Sequence, residues 1–177
     1  MVAAIAAVRW SIMSVLYLDP ANPAVTLSDI EQAVCETFAV PEIMAHTLAS
    51  EIVTGSILLF DVRDHAEFDR SHIEGAIHIP PGMGADQFAA GYGPALEGKK
   101  AVFYCAAGVR SAVMLKRVEP VVASFAPEAL YNLRGGIFRW FTAGYPVAAS
   151  GPTDGVHPYD EAWGALLART QRSAKPV

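Results

Sequence analysis

Two continuous apolar runs constrain the fold of this chain more than any other feature: "ILLFDV" at 57–62 and "AVFYC" at 101–105. Runs of this length without polar alternation are typical of strands buried on both faces of a parallel sheet. A third, weaker strand is "ALYNL" at 129–133. Helical patterns occupy the segments around these strands, at 48–54, 64–69, 84–90, 110–124 and 136–143. The alternation predicts an α/β fold with an open parallel sheet and helices on both faces.

Two further helices are predicted outside this alternation. In "TLSDIEQAVCETF", Ser28 and Glu31 form a capping box ahead of apolar residues at helical spacing. In the tail, "YDEAWGALLARTQRS" places Trp163, Leu166 and Leu167 on one face of a last helix. We expect this face to pack against the domain rather than against a second copy of the chain, because left exposed it would be prone to aggregate.

These patterns divide the chain into three parts. Residues 1–43 form an N-terminal extension with a helix at about 28–39, residues 44–148 form the α/β domain, and residues 149–177 form a linker and a C-terminal tail. The first eighteen residues, "MVAAIAAVRWSIMSVLYL", are largely apolar. Arg9 interrupts this apolar stretch, and no basic residue stands ahead of it. This pattern is not a clean match to a signal peptide or to a membrane span, so export is the less favoured interpretation. The favoured interpretations are a packed extension and a start of translation at Met13.

Composition and charge limit the class of partner. Hydrophobic residues make up 53% of the 177 residues, which is enough for a sizeable core. A formal net charge of −5 and the lack of a long basic run disfavour nucleic acid and anionic membranes as partners. Cys35 and Cys105 are too few for a disulfide scaffold, and neither has metal-ligand spacing to other residues. We therefore expect a reducing, cytoplasmic location, with export as the alternative, and no bound metal.

Cys105 stands where reacting groups gather in an open α/β sheet, at the carboxyl end of a buried strand. The small residues Ala106, Ala107 and Gly108 leave their backbone N–H groups free to surround the sulfur at the positive end of the next helix. This cradle and the charge of Arg110 favour the thiolate, which predicts a nucleophile. The alternative is an ordinary small buried residue. That simpler interpretation is the one we adopt for Cys35, because nothing near it in the sequence would activate a thiol.

Three separated motifs resemble those of the rhodanese-like sulfurtransferase family. The segment "DVRDHAEFDRSHIEGAIHIP" at 61–80 is similar to the entry motif of that family, "CAAGVRS" at 105–111 to its active-site loop, and "LRGGIFRWFTAGYPV" at 133–147 to its closing motif. The resemblance covers about 44–148 and implies a single rhodanese-like domain. The sequence departs from the family at Ser71, where glycine is usual, but a serine with negative φ can take the same turn.

The resemblance implies a transfer of sulfane sulfur without a cofactor. Cys105 would take the sulfur from thiosulfate or a persulfide, carry it as a persulfide and pass it to a thiophilic acceptor, which includes protein thiols. Arg110 would attract an anionic donor. Because the loop has no second charged residue, thiol or protein persulfides are expected to fit better than small dianionic donors. The loop N–H groups that would hold the persulfide belong to Ala106, Ala107, Gly108, Val109, Arg110 and Ser111.

The remaining motif residues are expected to have structural roles. Four polar residues are expected to tie the strand end to neighbouring loops: Asp61, Arg63, Glu67 and His72. Among these, Asp61 and Arg63 are the residues that we expect to support the site. Trp140 and the Gly135–Gly136 pair are expected to serve packing and a tight turn.

Two other functions remain open from the sequence. Dual-specificity phosphatases and related arsenate reductases use the same fold with a longer loop, but four residues separate Cys105 from Arg110 where those enzymes have five. The chain could instead be a non-catalytic module that binds partners. The intact Cys105 and its small neighbours argue against that alternative.

Overall fold

A computed structural model of the chain describes residues 18–149 and 155–174. Almost all of the apolar N-terminal segment and part of the predicted linker therefore lie outside the described residues, and the interpretations of that segment stay predictions. Within the described ranges, no helix is long and apolar enough to cross a membrane.

One parallel sheet forms the centre of the described structure. Its strands are β1 (Glu42–Ile43), β2 (Ile57–Asp61), β3 (Ile77–His78), β4 (Lys100–Tyr104) and β5 (Ala129–Leu133). They are hydrogen-bonded in the order β1-β5-β4-β2-β3, and every neighbouring pair is parallel. The three predicted strands correspond to β2, β4 and β5. The sequence does not predict β1 and β3, because two residues are too few to form an apolar run.

Helices connect these strands, so the predicted α/β fold is confirmed. They are α1 (Leu27–Phe38), α2 (Ala45–Glu51), α3 (His65–Arg70), α4 (Ala85–Tyr92), α5 (Val109–Val122), α6 (Gly136–Thr142) and α7 (Glu161–Ala174). Short 3₁₀ turns follow three of the helices, at Ile52–Thr54, Gly93–Leu96 and Ala123–Phe125. The helix predicted at 48–54 is thus the end of α2 and the turn after it.

The core is built around β4, which lies between β2 and β5. Its residues from Ala101 to Tyr104 are fully buried, which explains why the run is apolar without alternation. Phe103 pairs in register with Phe60 of β2, and their rings stack with centroids 5.1 Å apart. Phe88 of α4 meets the Phe60 ring edge-on at the same distance of 5.1 Å. This aromatic cluster fixes the central strands and, with them, the edge of the sheet at which β2 and β4 end.

The N-terminal cap of α1 differs from the one that the sequence predicts. Thr26, in extended conformation, is the N-cap, and its Oγ1 accepts a hydrogen bond from the backbone N–H of Asp29 at 3.2 Å. Asp29 closes the capping box by accepting from the N–H of Thr26 at 2.8 Å. The prediction of Ser28 and Glu31 is therefore wrong. The physical reason is that Glu31 is buried and binds Arg139, whose Nε donates to its Oε1 at 2.6 Å.

The tail helix α7 packs onto the same chain, as expected from its apolar face. Leu166 and Leu167 are buried, and the Trp163 ring lies 6.4 Å from that of Phe138. Arg169 binds the N-terminal part of the described chain as well, because its Nη2 donates to three backbone carbonyls, those of Pro20, Asn22 and Val25. The expectation that the tail packs against its own chain is confirmed.

Truncating a buried tail residue should measure this docking. We expect Leu166→Ala to lower the free energy of unfolding by about 3 kcal/mol, because Leu166 is 0% exposed and its removal leaves a cavity. Urea unfolding of the full chain provides the measurement. The control is Arg172→Ala, at an exposed position of the same helix, which should change stability by less than about 0.5 kcal/mol. Equal effects of both variants would mean that α7 does not dock.

Candidate active site

Cys105 is the first residue after β4, at the carboxyl edge of the sheet. The last register pair between β2 and β4 joins Asp61 to Tyr104, so the strand ends one residue earlier than predicted. Beyond this point the backbone carbonyl of Cys105 accepts a hydrogen bond from the N–H of Ile137 at 2.9 Å, at the start of α6. The Cys105 side chain is buried with a residue exposure of 2%. It therefore lies where open α/β sheets place their reacting groups.

The backbone N–H of Gly108 faces the Cys105 sulfur. The N–H of Gly108 lies 3.2 Å from Sγ and donates to it. Gly108 is the N-cap of α5 with a φ of 98°, a left-handed conformation that favours glycine. The first N–H groups of a helix have no carbonyl partner within it, and they carry the positive end of the helix dipole. Because α5 begins at Val109, this end of the helix lies next to the sulfur.

Hydrogen bonds with α6 and β5 hold the loop that follows Cys105 in place. The N–H of Phe138 donates to the carbonyl of Ala106 at 3.0 Å, in parallel with the bond to Cys105 described above. The Asn132 amide Nδ2 donates to the carbonyl of Gly108 at 3.2 Å, and Asn132 Oδ1 accepts from the Ser111 hydroxyl at 2.7 Å. Three loop carbonyls, those of Cys105, Ala106 and Gly108, thereby have hydrogen-bond partners outside the loop. These bonds hold the loop against α6 and β5.

Arg110 is held by carboxylates instead of pointing freely into the site. Its Nη1 and Nη2 donate to the two oxygens of Glu67 at 2.7 and 2.8 Å, and Asp64 lies 3.6 Å from Nη1. Burial alone raises the pKa of Glu67, but the hydrogen bonds and charge of Arg110 outweigh it and the pKa lies below its usual value. For Arg110, burial opposes the charge, whereas Glu67 and the nearby Cys105 and Asp64 raise its pKa above the usual value. Arg110 and Glu67 therefore both stay ionised at neutral pH.

A small pocket opens above Cys105. It has a volume of about 150 Å³ and is lined by Cys105, Ala106, Ala107, Val109, Arg110, Tyr159 and Trp163. The two aromatic residues come from the tail, and the Tyr159 ring lies over the Arg110 guanidinium at 4.7 Å. The pocket is much smaller than a site for a drug-sized ligand, which has about 300–1,000 Å³. It can admit a small reacting group or one end of a larger molecule.

Asp61 and Arg63 form a fully buried ion pair next to the site. Arg63 Nε donates to Asp61 Oδ1 at 2.9 Å and Nη2 to Oδ2 at 2.6 Å, while Nη2 also binds the carbonyl of Ser71. The Tyr104 hydroxyl accepts from the N–H of Ile73 at 3.1 Å. Burial and the Asp61 charge raise the pKa of Tyr104 well above its usual value, so the hydroxyl remains neutral. These contacts tie the end of β2 to the loop after α3. That Asp61 and Arg63 support the site stays a prediction.

The entry motif pairs with the residue that directly follows the closing motif. His72 and Ala148 exchange two backbone hydrogen bonds of 2.8 Å each. Trp140 is buried, and its Nε1 donates to the carbonyl of Pro146 at 2.8 Å. Ser71 has an extended backbone with a φ of −171°, which any residue adopts, so the departure from glycine at this position needs no compensation. These bonds tie the segment after α3 to the segment after α6.

The sequence does not predict the roles that three residues have in the site. Asn132 shows only as a polar residue inside a predicted strand, and Glu67 is expected to tie loops without any indication that it binds Arg110. Tyr159 lies in the tail, outside every motif.

In the described ranges, no group of three His, Cys, Asp or Glu residues is arranged to hold a metal ion.

The structure thus has a parallel sheet with a buried cysteine and its loop at the carboxyl edge, and the N-terminus of a helix lies beside the sulfur. A family model described as the Rhodanese-like domain matches residues 44–143, which is more than half of the chain. The chain belongs to the rhodanese-like family.

Several named proteins are similar to this chain. The HTH-type transcriptional regulator Rv0324 of Mycobacterium tuberculosis is 32% identical over 129 residues, which cover 71% of this chain and 54% of that protein. The probable adenylyltransferase/sulfurtransferase MoeZ of the same organism is 38% identical over 84 residues, covering 48% of this chain and 20% of that protein. This chain thus spans about half the length, or less, of these curated relatives.

A solved structure supports the fold. The thiosulfate sulfurtransferase of Pseudomonas aeruginosa superposes with a TM-score of 0.53 and 19% identity, covering 81% of this chain and 26% of that chain. At this identity the likeness concerns the fold alone.

Proposed function

We propose that this protein is a sulfurtransferase that moves sulfane sulfur from a persulfide or thiosulfate donor to a thiophilic acceptor through a persulfide on Cys105. The observation that carries the proposal is the position of Cys105 Sγ, 3.2 Å from the Gly108 N–H at the start of α5. Donors in this arrangement stabilise negative charge on sulfur, before and after the transfer. Membership of the rhodanese-like family and the name of the relative MoeZ agree with it.

The reaction proceeds in two displacements. In the first, the Cys105 thiolate attacks the outer sulfur of the donor; a new S–S bond forms at Cys105, the S–S bond of the donor breaks, and its electron pair leaves with a thiolate or sulfite. In the second, a nucleophilic acceptor such as a thiolate or cyanide attacks the outer sulfur of the persulfide. That step restores the Cys105 thiolate and releases the sulfurated acceptor. No net oxidation occurs, so the cycle needs no cofactor.

Loop size favours sulfur over phosphate as the transferred group. Four residues separate Cys105 from Arg110, and the Glu67 carboxylate already occupies both terminal nitrogens of the guanidinium. A phosphate would need these same donors, and it would meet the negative charge of Glu67 beside them. A single outer sulfur atom needs only the backbone donors of the loop.

We infer a reducing, cytoplasmic location on the ground that both cysteines are free thiols.

The expected product on the enzyme provides a direct test. After incubation with thiosulfate or a small hydropersulfide, intact-mass spectrometry should show a gain of one sulfur atom, and peptide mapping should place it on Cys105. Addition of cyanide should remove it and release thiocyanate. Under the same conditions, hydrolysis of an aryl phosphate should be negligible. A protein that gains no sulfur from either donor would be a non-catalytic module, and one that hydrolyses the aryl phosphate instead would be a phosphatase.

A further inference from the structure

The pocket above Cys105 is built from two parts of the chain. Its floor comes from the loop of the rhodanese-like domain, whereas Tyr159 and Trp163 come from the tail beyond the residues that the family model matches. Trp163 contacts the ring of Phe138 of α6, and the N–H of Phe138 donates to the carbonyl of Ala106 in the loop. The tail therefore contributes two aromatic walls to the space that a donor must enter.

The backbone around Tyr159 fixes the ring in place. Tyr159 has a φ of 72°, a left-handed conformation that is costly for any residue with a Cβ. Its N–H donates to His157 Nδ1 at 3.0 Å, and Asp160 Oδ1 accepts from the N–H of Trp163 at 2.9 Å at the start of α7. Although Tyr159 is 48% exposed, this turn directs its ring over the Arg110 guanidinium. A strained residue at a pocket mouth is typical of positions with a functional constraint.

The charge in the pocket is already balanced. Arg110 is the one charged side chain among the described residues that line it, and Glu67 neutralises it through two hydrogen bonds, with Asp64 nearby. The Tyr159 ring covers one face of the guanidinium. A dianion that enters must lose water without gaining an unpaired cation, and two aromatic rings line the space that it enters. A donor with at most one charge and a short apolar stem loses less hydration and can pack against these rings.

We infer that Tyr159 and Trp163 are specificity-determining residues that select small hydropersulfides of low charge over the thiosulfate dianion, an assignment that rests on the proposed function. The loading step is attack of the Cys105 thiolate on the outer sulfur of RS–SH. A Cys105–S bond forms, the RS–S bond breaks, and RS⁻ leaves with its electron pair. The stem R lies against the aromatic walls, and a pocket of about 150 Å³ limits it to a few carbon atoms.

The experiment compares matched donors and matched probes in the full chain with Cys35→Ser, which leaves one thiol. Ethyl hydropersulfide and thiosulfate are the donors, and the rate of sulfur gain on Cys105 is followed by mass spectrometry. Iodoacetamide and iodoacetate are the probes, because they alkylate the same sulfur and differ in charge. Tyr159→Ala should lower both preferences, for the hydropersulfide and for iodoacetamide, about tenfold, since water and anions then reach Arg110.

Tyr159→Phe is the matched variant, because it retains the ring and should keep both preferences within about twofold of the parent. Alanine and phenylalanine experience similar backbone strain at a φ of 72°, so the difference between the variants reports the ring. Unchanged preferences in Tyr159→Ala, in a protein that still transfers sulfur, would overturn this inference and leave the proposed function intact. Failure of Cys105 to load from either donor would overturn the proposed function and the substrate assignment with it.

Discussion

Replacing Cys105 by serine is expected to reduce sulfur transfer by at least about 10³-fold, because a hydroxyl stays protonated at neutral pH and is a poor nucleophile toward sulfur. The change removes no carbon atom. The Gly108 N–H, 3.2 Å from Sγ, can still donate to the hydroxyl oxygen. We therefore expect the free energy of unfolding to change by about 1 kcal/mol or less. Thiocyanate formation from thiosulfate and cyanide, together with transfer from a hydropersulfide to a thiol, measures the loss.

Cys35→Ser is the control for this substitution. Cys35 lies half-buried on α1, does not line the pocket above Cys105, and should contribute nothing to transfer. The Cys35 variant should retain most of the activity with both donors. Substantial transfer by Cys105→Ser, or an equal loss in the two variants, would contradict the mechanism. Because Cys105→Ser is expected to fold, a loss of activity with an unchanged urea midpoint would identify a chemical role.

The fold is predictable because its strongest signals are local. The runs that became β2 and β4 are apolar without alternation, and burial of both faces explains that pattern directly. The strands β1 and β3 carry no such signal, because two residues pair with a neighbour only after the rest of the sheet is in place. Local pattern thus finds the centre of the sheet and misses its edges.

The cap of α1 shows how distant contacts decide between local alternatives. The local pattern predicts a capping box of Ser28 with Glu31, whereas the structure forms one of Thr26 with Asp29. Glu31 is taken up by Arg139 of α6. An ion pair between residues so far apart in the chain leaves no trace in the local sequence.

The candidate site shows the same contrast between local sequence signals and distant contacts. The loop from Cys105 to Arg110 is contiguous, so its small residues and its position after a strand reveal it. Its supports lie elsewhere in the chain: Asn132 comes from β5, Glu67 from α3 and Tyr159 from the tail. Tertiary packing alone brings them to the loop. The prediction that Arg110 offers its charge to a donor therefore omitted the carboxylate that binds it.

The second large effect is expected from Gly136→Ala at the start of α6. Gly136 has a φ of 55°, and a Cβ built there would lie 2.3 Å from the backbone oxygen of Cys105 and 2.6 Å from that of Ala106. Backbone atoms cannot move aside as a flexible side chain can. We expect the free energy of unfolding to fall by about 3 kcal/mol, from left-handed strain together with overpacking.

Gly144→Ala is the matched control. Gly144 lies in the same closing motif with a φ of 87°, but a Cβ there would meet nothing within 4 Å. This variant should show the strain alone, about 1–2 kcal/mol, and its folded form should keep its activity. Urea unfolding and the rate of persulfide formation, both normalised to the folded fraction, allow the two variants to be compared.

The activity of folded Gly136→Ala distinguishes a positioning role from a purely structural one. Ile137 and Phe138 donate to the carbonyls of Cys105 and Ala106, and these are the two oxygens that the new Cβ would displace. Moving them by about 1 Å would turn the loop N–H groups away from the sulfur, and such a displacement at a reacting centre can reduce a rate by ~100-fold. We therefore expect folded Gly136→Ala to form the persulfide about 100-fold more slowly than the parent. Were its folded form as active as Gly144→Ala, α6 would stabilise the domain without setting the geometry of the sulfur cradle.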